Sequence, residues 1–494
     1  MDPKVMAIYL PQFHRVPEND EWWGEGFTEW TAVKGAEPLF EGHNQPRIPL
    51  NKNYYNLLEH DTMAWQADLM DKYHIDGMCI YHYWFEDGRR ILEKPAENLL
   101  QWTDIKMPFC FYWANQTWSR TWKKLWDSCT WSGVYEGPRK ENDTGILLKQ
   151  SYGREKDWEE HFLYLLPFFR DERYIKIDNK PVFIIYRPDD IFSLWDMADY
   201  FNERARQAGF AGVYFIGSCW DAQPGLDATF EKQPDWGSDL YDETWEMTLN
   251  NKQEKGCKTY LCGGVDFDNS PRMGKNCFIL KGATPQKFYQ YFKRLYCKSR
   301  YLQNEFIFVN AWNEWGEGMY LEPDERWGHG YLEAIKNVVE ECRDGGSENR
   351  TEEFAVHYKT EDEQYLRKVT RTADRYGALL NNWLTLRERK TDFAQYFKKY
   401  GYQNIAIYGM GKLGTHLLYE LMESDVTVKC GIDRNSERMD CGIAVYHPDQ
   451  SIPEVDAVVM TVTHMYSEIS EMLRQNMKCP MVTIEEIVQE LMFL

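Results

Sequence analysis

The sequence predicts an α/β protein: a (β/α)8 barrel, then a helical linker, then a small Rossmann-like α/β domain. Three observations carry this reading. The first two thirds of the chain alternate short apolar, β-rich runs with longer segments of helical spacing. Eight such runs occur, the number that closes a barrel. The final stretch opens on a strand, a glycine turn and a helix.

The eight runs are VMAIYL (5–10), GMCIYHYW (77–84), PFCFYW (108–113), PVFIIY (181–186), GVYFIGS (212–218), a weaker ATFE (228–231), TYLCGGV (259–265) and FIFVNAW (306–312). Several end in polar or aromatic residues: Gln12 and His14, His82 and Trp84, Asn115 and Gln116, Arg187, Trp220, Asp266 and Asp268, Asn313 and Glu314. Periodicity alone also allows an open doubly wound sheet; the count and the repeated pattern of strand ends favour a barrel with its site at the strand carboxyl ends. The long insertion after the first run holds NDEWWGEGFTEW and GHNQPRIP, too rich in Gly, Pro and aromatics for a plain crossover helix. Residues 1–345 are assigned to the barrel, 346–400 to a helical linker, and 401–494 to the Rossmann-like domain. The linker starts with the solvated GGSENRTEE and continues as one or two amphipathic helices.

The richest stretch is FIFVNAWNEWGEGMYLEP, 306–323. An apolar run suited to burial on both faces turns abruptly into two carboxylates, two indoles and glycines. Glu314 and Glu317 flank Gly316, which lets the backbone turn so that both face one cleft. Two carboxyls with tryptophans nearby suit the making or breaking of a glycosidic bond. A solvated loop with two ordinary glutamates is the plainer alternative.

Composition limits the partners. The formal net charge of −21 argues against nucleic acid and anionic membranes. Aromatics make up 16% of the chain, with 20 Trp; flat indoles suit sugar faces, although about half are expected in the core. The 12 cysteines include no CxxC pair, so free thiols are expected and no metal site. No leader and no apolar run long enough to span a bilayer is visible, which points to a cytoplasmic protein. The oligomeric state is left open.

In the last domain, QNIAIYGMGKLGTHLLYELM places Gly409, Gly411 and Gly414 between a strand and a helix, and Asp433 ends the next strand. These are the residues that would hold a nucleotide or nucleotide-sugar. With only one mononucleotide half, a packing or regulatory role for the same glycines is the alternative.

Taken together, YLPQFH, WWGEGFTEW, GHNQPR, YHYWF, WANQTWSRTW, FRDERYIKIDNKPVFIIYRP and AWNEWGEGMYLEPD resemble the WbsX-type proteins of bacterial lipopolysaccharide and capsule gene clusters, relatives of glycoside hydrolase family 99. The resemblance runs from about residue 5 to 335. It implies a barrel acting on an oligo- or polysaccharide without a cofactor, by retaining endo-cleavage of α-mannosides. By position within NEWGEG, it implies Glu314 as base toward the sugar 2-hydroxyl and Glu317 as general acid/base. The acid's pKa should then be raised while its partner stays ionised. His14, His82, Trp84, Trp113, Asn115, Gln116, Tyr186, Arg187, Asn313 and Trp315 are the candidate substrate contacts. Gln116 departs from the WANE that relatives often carry, exchanging a charge for an amide. A glycosyltransferase building a surface polysaccharide and a non-catalytic glycan-binding protein are the alternatives.

Overall fold

The computed structural model describes residues 2–119, 128–130, 146–219, 223–233, 237–252, 257–343, 359–438, 441–462 and 466–492. The chain divides into two compact units. One contains Met1–Asp189 and Asp196–Tyr358, the other Asp190–Trp195 and Lys359–Leu494.

The first unit is a closed parallel barrel. Its strands are β1 (Lys4–Tyr9), β2 (Gly77–His82), β3 (Phe109–Trp113), β4 (Lys180–Ile185), β5 (Tyr214–Ser218), β6 (Ala228–Phe230), β7 (Lys258–Gly264) and β8 (Phe306–Asn310). Each pairs with the next in sequence, and β8 returns to β1 in the register Lys4↔Phe306 to Ala7↔Val309. All eight expected runs are barrel strands, including the weak sixth. They read as continuous apolar segments because both faces are buried, one inside the barrel and one under the helices. Alternation sorts the two faces. Tyr81 stacks on Tyr112 at 5.0 Å and Phe230 on Phe308 at 4.5 Å across the interior. Phe111 instead packs on Phe168 of the helix Glu155–Arg170 outside.

The insertion after β1 carries the short helix α1 (Glu29–Gly35) before the crossover helix α2 (His60–Lys72). The remaining crossover helices are α3 (Lys94–Gln101), α4 (Glu155–Arg170), α5 (Leu194–Gln207) and α6 (Tyr241–Asn250). The one-turn α7 (Ser270–Met273) precedes α8 (Pro285–Tyr301), and α9 (Gly330–Arg343) follows β8. Among the described residues no helix separates β5 from β6.

The second unit starts with α10 (Glu361–Glu388) and α11 (Ala394–Tyr400). A five-stranded parallel sheet follows: β9 (Asn404–Tyr408), β10 (Thr427–Ile432), β11 (Val445–Tyr446), β12 (Ala457–Met460) and β13 (Met481–Thr483). Its spatial order, β11-β10-β9-β12-β13, is that of a doubly wound sheet. Separate apolar clusters cover its two faces, one around Ile405, Ile407 and Leu417, the other around Ala406, Tyr408 and Leu473. The helix α12 (Lys412–Leu421) follows the glycine turn. Trp122, Trp126, Trp220, Trp236 and the connector before residue 359 lie outside the described residues. Among the described residues no helix is long and apolar enough to cross a membrane.

Candidate active site at the strand ends

Beyond β8 the chain forms a tight hairpin, Asn313–Glu314 against Met319–Tyr320, around a 3-10 turn at Trp315–Glu317. The turn brings Glu314 and Glu317 onto one guanidinium. Arg272, on α7 after β7, donates from Nη1 to Glu317 Oε1 at 2.7 Å and from Nη2 to Glu314 Oε2 at 3.0 Å. Its Nη2 also reaches Glu29 Oε1, on the first turn of α1, at 2.7 Å. Three carboxylates thus share one arginine, with Glu29 fully buried and the Glu317 side chain 25% exposed. Gly316 makes this approach feasible: a Cβ there would collide with Glu29 Oε1 and crowd Arg272 Nε.

Burial, then the Glu317 charge, pushes the Glu314 carboxyl up to about 7, against the pull of Arg272 and Lys232. Burial likewise raises Glu29. Lys232, two residues past β6, donates to the Tyr81 hydroxyl at 2.7 Å and stands 5.0 Å from the Tyr186 ring. Burial opposes its charge, but Tyr186, Tyr112, Glu317 and Glu314 outweigh that and raise its pKa. The upward-shifted carboxyl is therefore the one assigned as base. The expectation is a raised pKa on the acid with its partner ionised; the upward shift falls on Glu314.

Beneath the hairpin lies Glu322, a buried carboxylate with four donors: Trp312 Nε1 at 2.9 Å, Trp315 Nε1 at 2.7 Å, Tyr55 OH at 2.9 Å and Gln66 Nε2 at 2.7 Å. Burial still pushes it up to about 7. The two indoles are thereby committed to the floor of the turn. Trp315 also stacks on Tyr320 at 3.7 Å. Asp266 and Asp268, a D-x-D by spelling, clamp the insertion: Arg47 Nη1 donates to Asp266 at 2.9 Å, while His43 and Gln45 reach Asp268 at 2.9 and 2.7 Å. GHNQPR is thus the strap that fastens the insertion across the β7 loop.

Several expected substrate contacts lie elsewhere. His82 faces its Nε2 to His161 Nε2 at 2.9 Å, Trp84 stacks on His161 at 4.5 Å, and Trp113 donates to the Trp84 carbonyl. All three pack against α4 rather than over the strand ends, because strand alternation turns their neighbours Tyr81 and Tyr112 inward. Burial lowers His82 to about 3. Asn115 brackets the backbone of Arg187, accepting from its N–H and donating to its carbonyl, both at 2.8 Å. Asn313 does the same for Leu10, at 2.8 and 3.0 Å. Asn115, Asn313 and Trp315 are therefore scaffold. His14 is buried, and burial lowers it to about 4, so it stands as a neutral imidazole. Tyr186 lies beside Lys232, while Arg187 and Gln116 are half-buried just beyond the ends of β4 and β3. Gln12 is fully buried with neither side-chain amide atom hydrogen-bonded, and its backbone carbonyl accepts from the Glu29 N–H at the start of α1 at 3.2 Å.

The family model for Glycosyltransferase WbsX matches residues 5–236 and 226–335. The chain belongs to the WbsX glycosyltransferase family. WxcX of Xanthomonas campestris pv. campestris is 30% identical over 372 residues in strains B100 and ATCC 33913, covering 70% of this chain and 50% of the relative. The chain spans about half the length of these curated relatives. Among solved structures, the chain resembles a GH99 endo-alpha-mannosidase from Bacteroides thetaiotaomicron (13% identity, TM-score 0.45, 70% of this chain and 99% of that one). It also resembles the alpha-L-fucosidase AlfC of Lactobacillus casei (13% identity, TM-score 0.30, 69% and 96%).

Within the WbsX match, sequence reasoning missed Glu29, Lys232 and Arg272. Glu29 sits inside the quoted FTEW, and Lys232 directly follows the weak sixth run, so strand-end position was a usable signal for Lys232. Nothing local marks Arg272, whose partner Glu29 is 243 residues away.

In the second unit, Gly414 lets α12 press on the turn: a Cβ there would collide with the Gly409 carbonyl. Gly411 caps α12 with open space around it. Asp433 accepts from the Met410 N–H at 2.9 Å and from the Asn435 N–H at 2.8 Å. Of the three glycines only Gly411 has open space where a Cβ would stand; Gly409 and Gly414 pack against the chain itself, and Asp433 braces the turn.

Proposed function

We propose that the barrel makes or breaks an internal glycosidic linkage of α-mannoside type, with Glu314 as base and Glu317 as general acid/base. The observation that carries this is the pair of carboxylates held on one buried arginine at the strand ends, with Glu314 pushed up to about 7. A base of that strength suits removal of a hydroxyl proton near neutral pH.

Glu314 takes the proton from the sugar's O2, and O2 closes onto C1 as the bond to the leaving oxygen breaks. Glu317 gives its proton to that oxygen. An acceptor hydroxyl then enters, losing its proton to Glu317; it attacks C1, and the opening O2 recovers its proton from Glu314. Backside attack needs O2 trans to the leaving group, which an α-mannoside provides. Two inversions return the original configuration. Arg272 keeps the two carboxylates together, and Lys232 and Tyr186 stand where a sugar would lie.

The acceptor decides between hydrolysis and transfer, and the family's name favours transfer as the second reading. Asp266 and Asp268, already engaged by Arg47, His43 and Gln45, give little support to a metal-diphosphate route. Calorimetric titration of wild type and Glu317→Gln with α-mannobiose-type oligosaccharides, followed by product analysis, tests the proposal. Binding by both with cleavage by wild type alone supports it. Uptake of a nucleotide-sugar without binding of free glycans replaces it with the transferase reading.

A further inference from the structure

Helix α10 buries one face, Leu379, Trp383 and Leu386, in the core of the second unit. A neighbouring face carries Leu366, Val369, Ala373, Gly377, Leu380 and Leu384 at helical spacing, and all six are exposed. Leu366 is 67% exposed and Leu384 63%. Single exposed hydrophobics are ordinary, but a continuous row along several turns marks a contact surface.

Gly377 is the informative member. Glycine in a helix interior is about 1 kcal/mol less favourable than alanine. A Cβ at Gly377 would meet nothing within 4 Å, so no described neighbour requires its absence. The close approach of another backbone would.

The row is also self-complementary. Leu366 and Leu384 lie equally far on either side of Arg375, and so do Ala373 and Gly377. The C-terminal half of the helix walls an open groove of about 340 Å³ through Leu380, Trp383, Leu384 and Arg387, completed by His416, Tyr419 and Glu420 of α12, with Arg387 and Glu420 paired to each other. The N-terminal half offers protruding side chains, Tyr365 and Leu366. Two such helices running antiparallel place each protrusion in the other's groove, with both contacts alike, as a two-fold interface requires.

We propose that this face of α10 binds a second copy of the chain, the two helices antiparallel about a two-fold axis near Arg375. Ala373 then meets Gly377 of the partner subunit at the closest approach, and Leu366 meets Leu384 of the partner subunit at each end.

The test is sedimentation velocity of the full chain from 1 to about 100 µM, alongside Gly377→Glu and Leu384→Glu. Gly377→Glu improves helix propensity, so its fold should survive, as far-UV circular dichroism will show. The expected result is twice the chain mass for wild type and a tenfold or greater weakening of association in both variants. For orientation, Leu366→Cys and Leu384→Cys proteins are oxidised mildly, alone and mixed, against wild type to account for native thiols. Cross-linking specific to the mixture supports the antiparallel pair. A wild type that stays monomeric at the top concentration overturns the proposal. Cross-linking of each variant only with itself overturns it too.

Discussion

Arg272 Nη2 lies 3.0 Å from Glu314 Oε2, a contact between the loop after β7 and the loop after β8. The same nitrogen holds the fully buried Glu29 of α1. One guanidinium thereby fixes the separation of the two candidate catalytic carboxylates and fastens the insertion to the barrel rim.

Removing that cation should be severe. Arg272→Met leaves Glu29 and Glu314 buried without their counter-charge, a loss on the order of 3–5 kcal/mol. Chemical denaturation should show it as a lower midpoint. Arg272→Lys restores a point charge but not the three-way fork, and should recover only part. A variant with unchanged stability would mean that Glu29 and Glu314 are neutral at the working pH.

The pH dependence has a definite sign. Glu314 and Glu322 are both pushed up to about 7 in the folded chain, above the ordinary glutamate value of about 4.3. Between those values the folded state binds more protons than the unfolded one, so this contribution is present in full below about 4.3 and is lost as pH rises through 7. Melting temperature should fall from pH 5 toward pH 8, and Glu314→Gln should flatten that decline. With Glu314 as base, kcat/KM should rise through pH about 7. A rising limb near pH 4 would leave Glu314 without that role.

Glu322 is the test of the floor under the hairpin. Glu322→Ala strands two indole N–H groups, a phenol and an amide, each unsatisfied donor worth about 1–3 kcal/mol. Urea denaturation should show a loss of about 3 kcal/mol or more, and intrinsic fluorescence should report Trp312 and Trp315 released. Glu322→Gln keeps the shape and should lose less.

Gly316→Ala is the smallest change with a large expected effect. The added methyl enters the space between Glu29 and Arg272, and overpacking of this kind runs about 1–3 kcal/mol. Activity should fall more than stability, because the turn that carries Glu314 and Glu317 must shift. Equal stability and activity to wild type would show that the hairpin relaxes without disturbing the carboxylates.

The sequence by itself determined the barrel and where its candidate site would lie. Burial on both faces writes a strand as a continuous apolar run, so all eight were legible, and the abrupt change after VN at 309–310 marked where the last strand meets the cleft. The glycine turn after Tyr408 was legible for the same local reason. Which strand-end residues face inward was not. His82 and Tyr81 differ by one step of a two-residue period, and only the closed register shows that Tyr81 points in and His82 toward α4. Nor was the Trp315 indole's commitment to Glu322 readable, since an indole is equally at home on a sugar or in a core. Tertiary structure alone decided the charge balance: Glu29, Lys232, Arg272 and Glu314 follow four different barrel strands, and the proton affinity of Glu314 is set by burial, by Glu317 and by those neighbours through space. Local spacing fixes strands and turns, whereas electrostatics depends on distances that exist only once the barrel is closed.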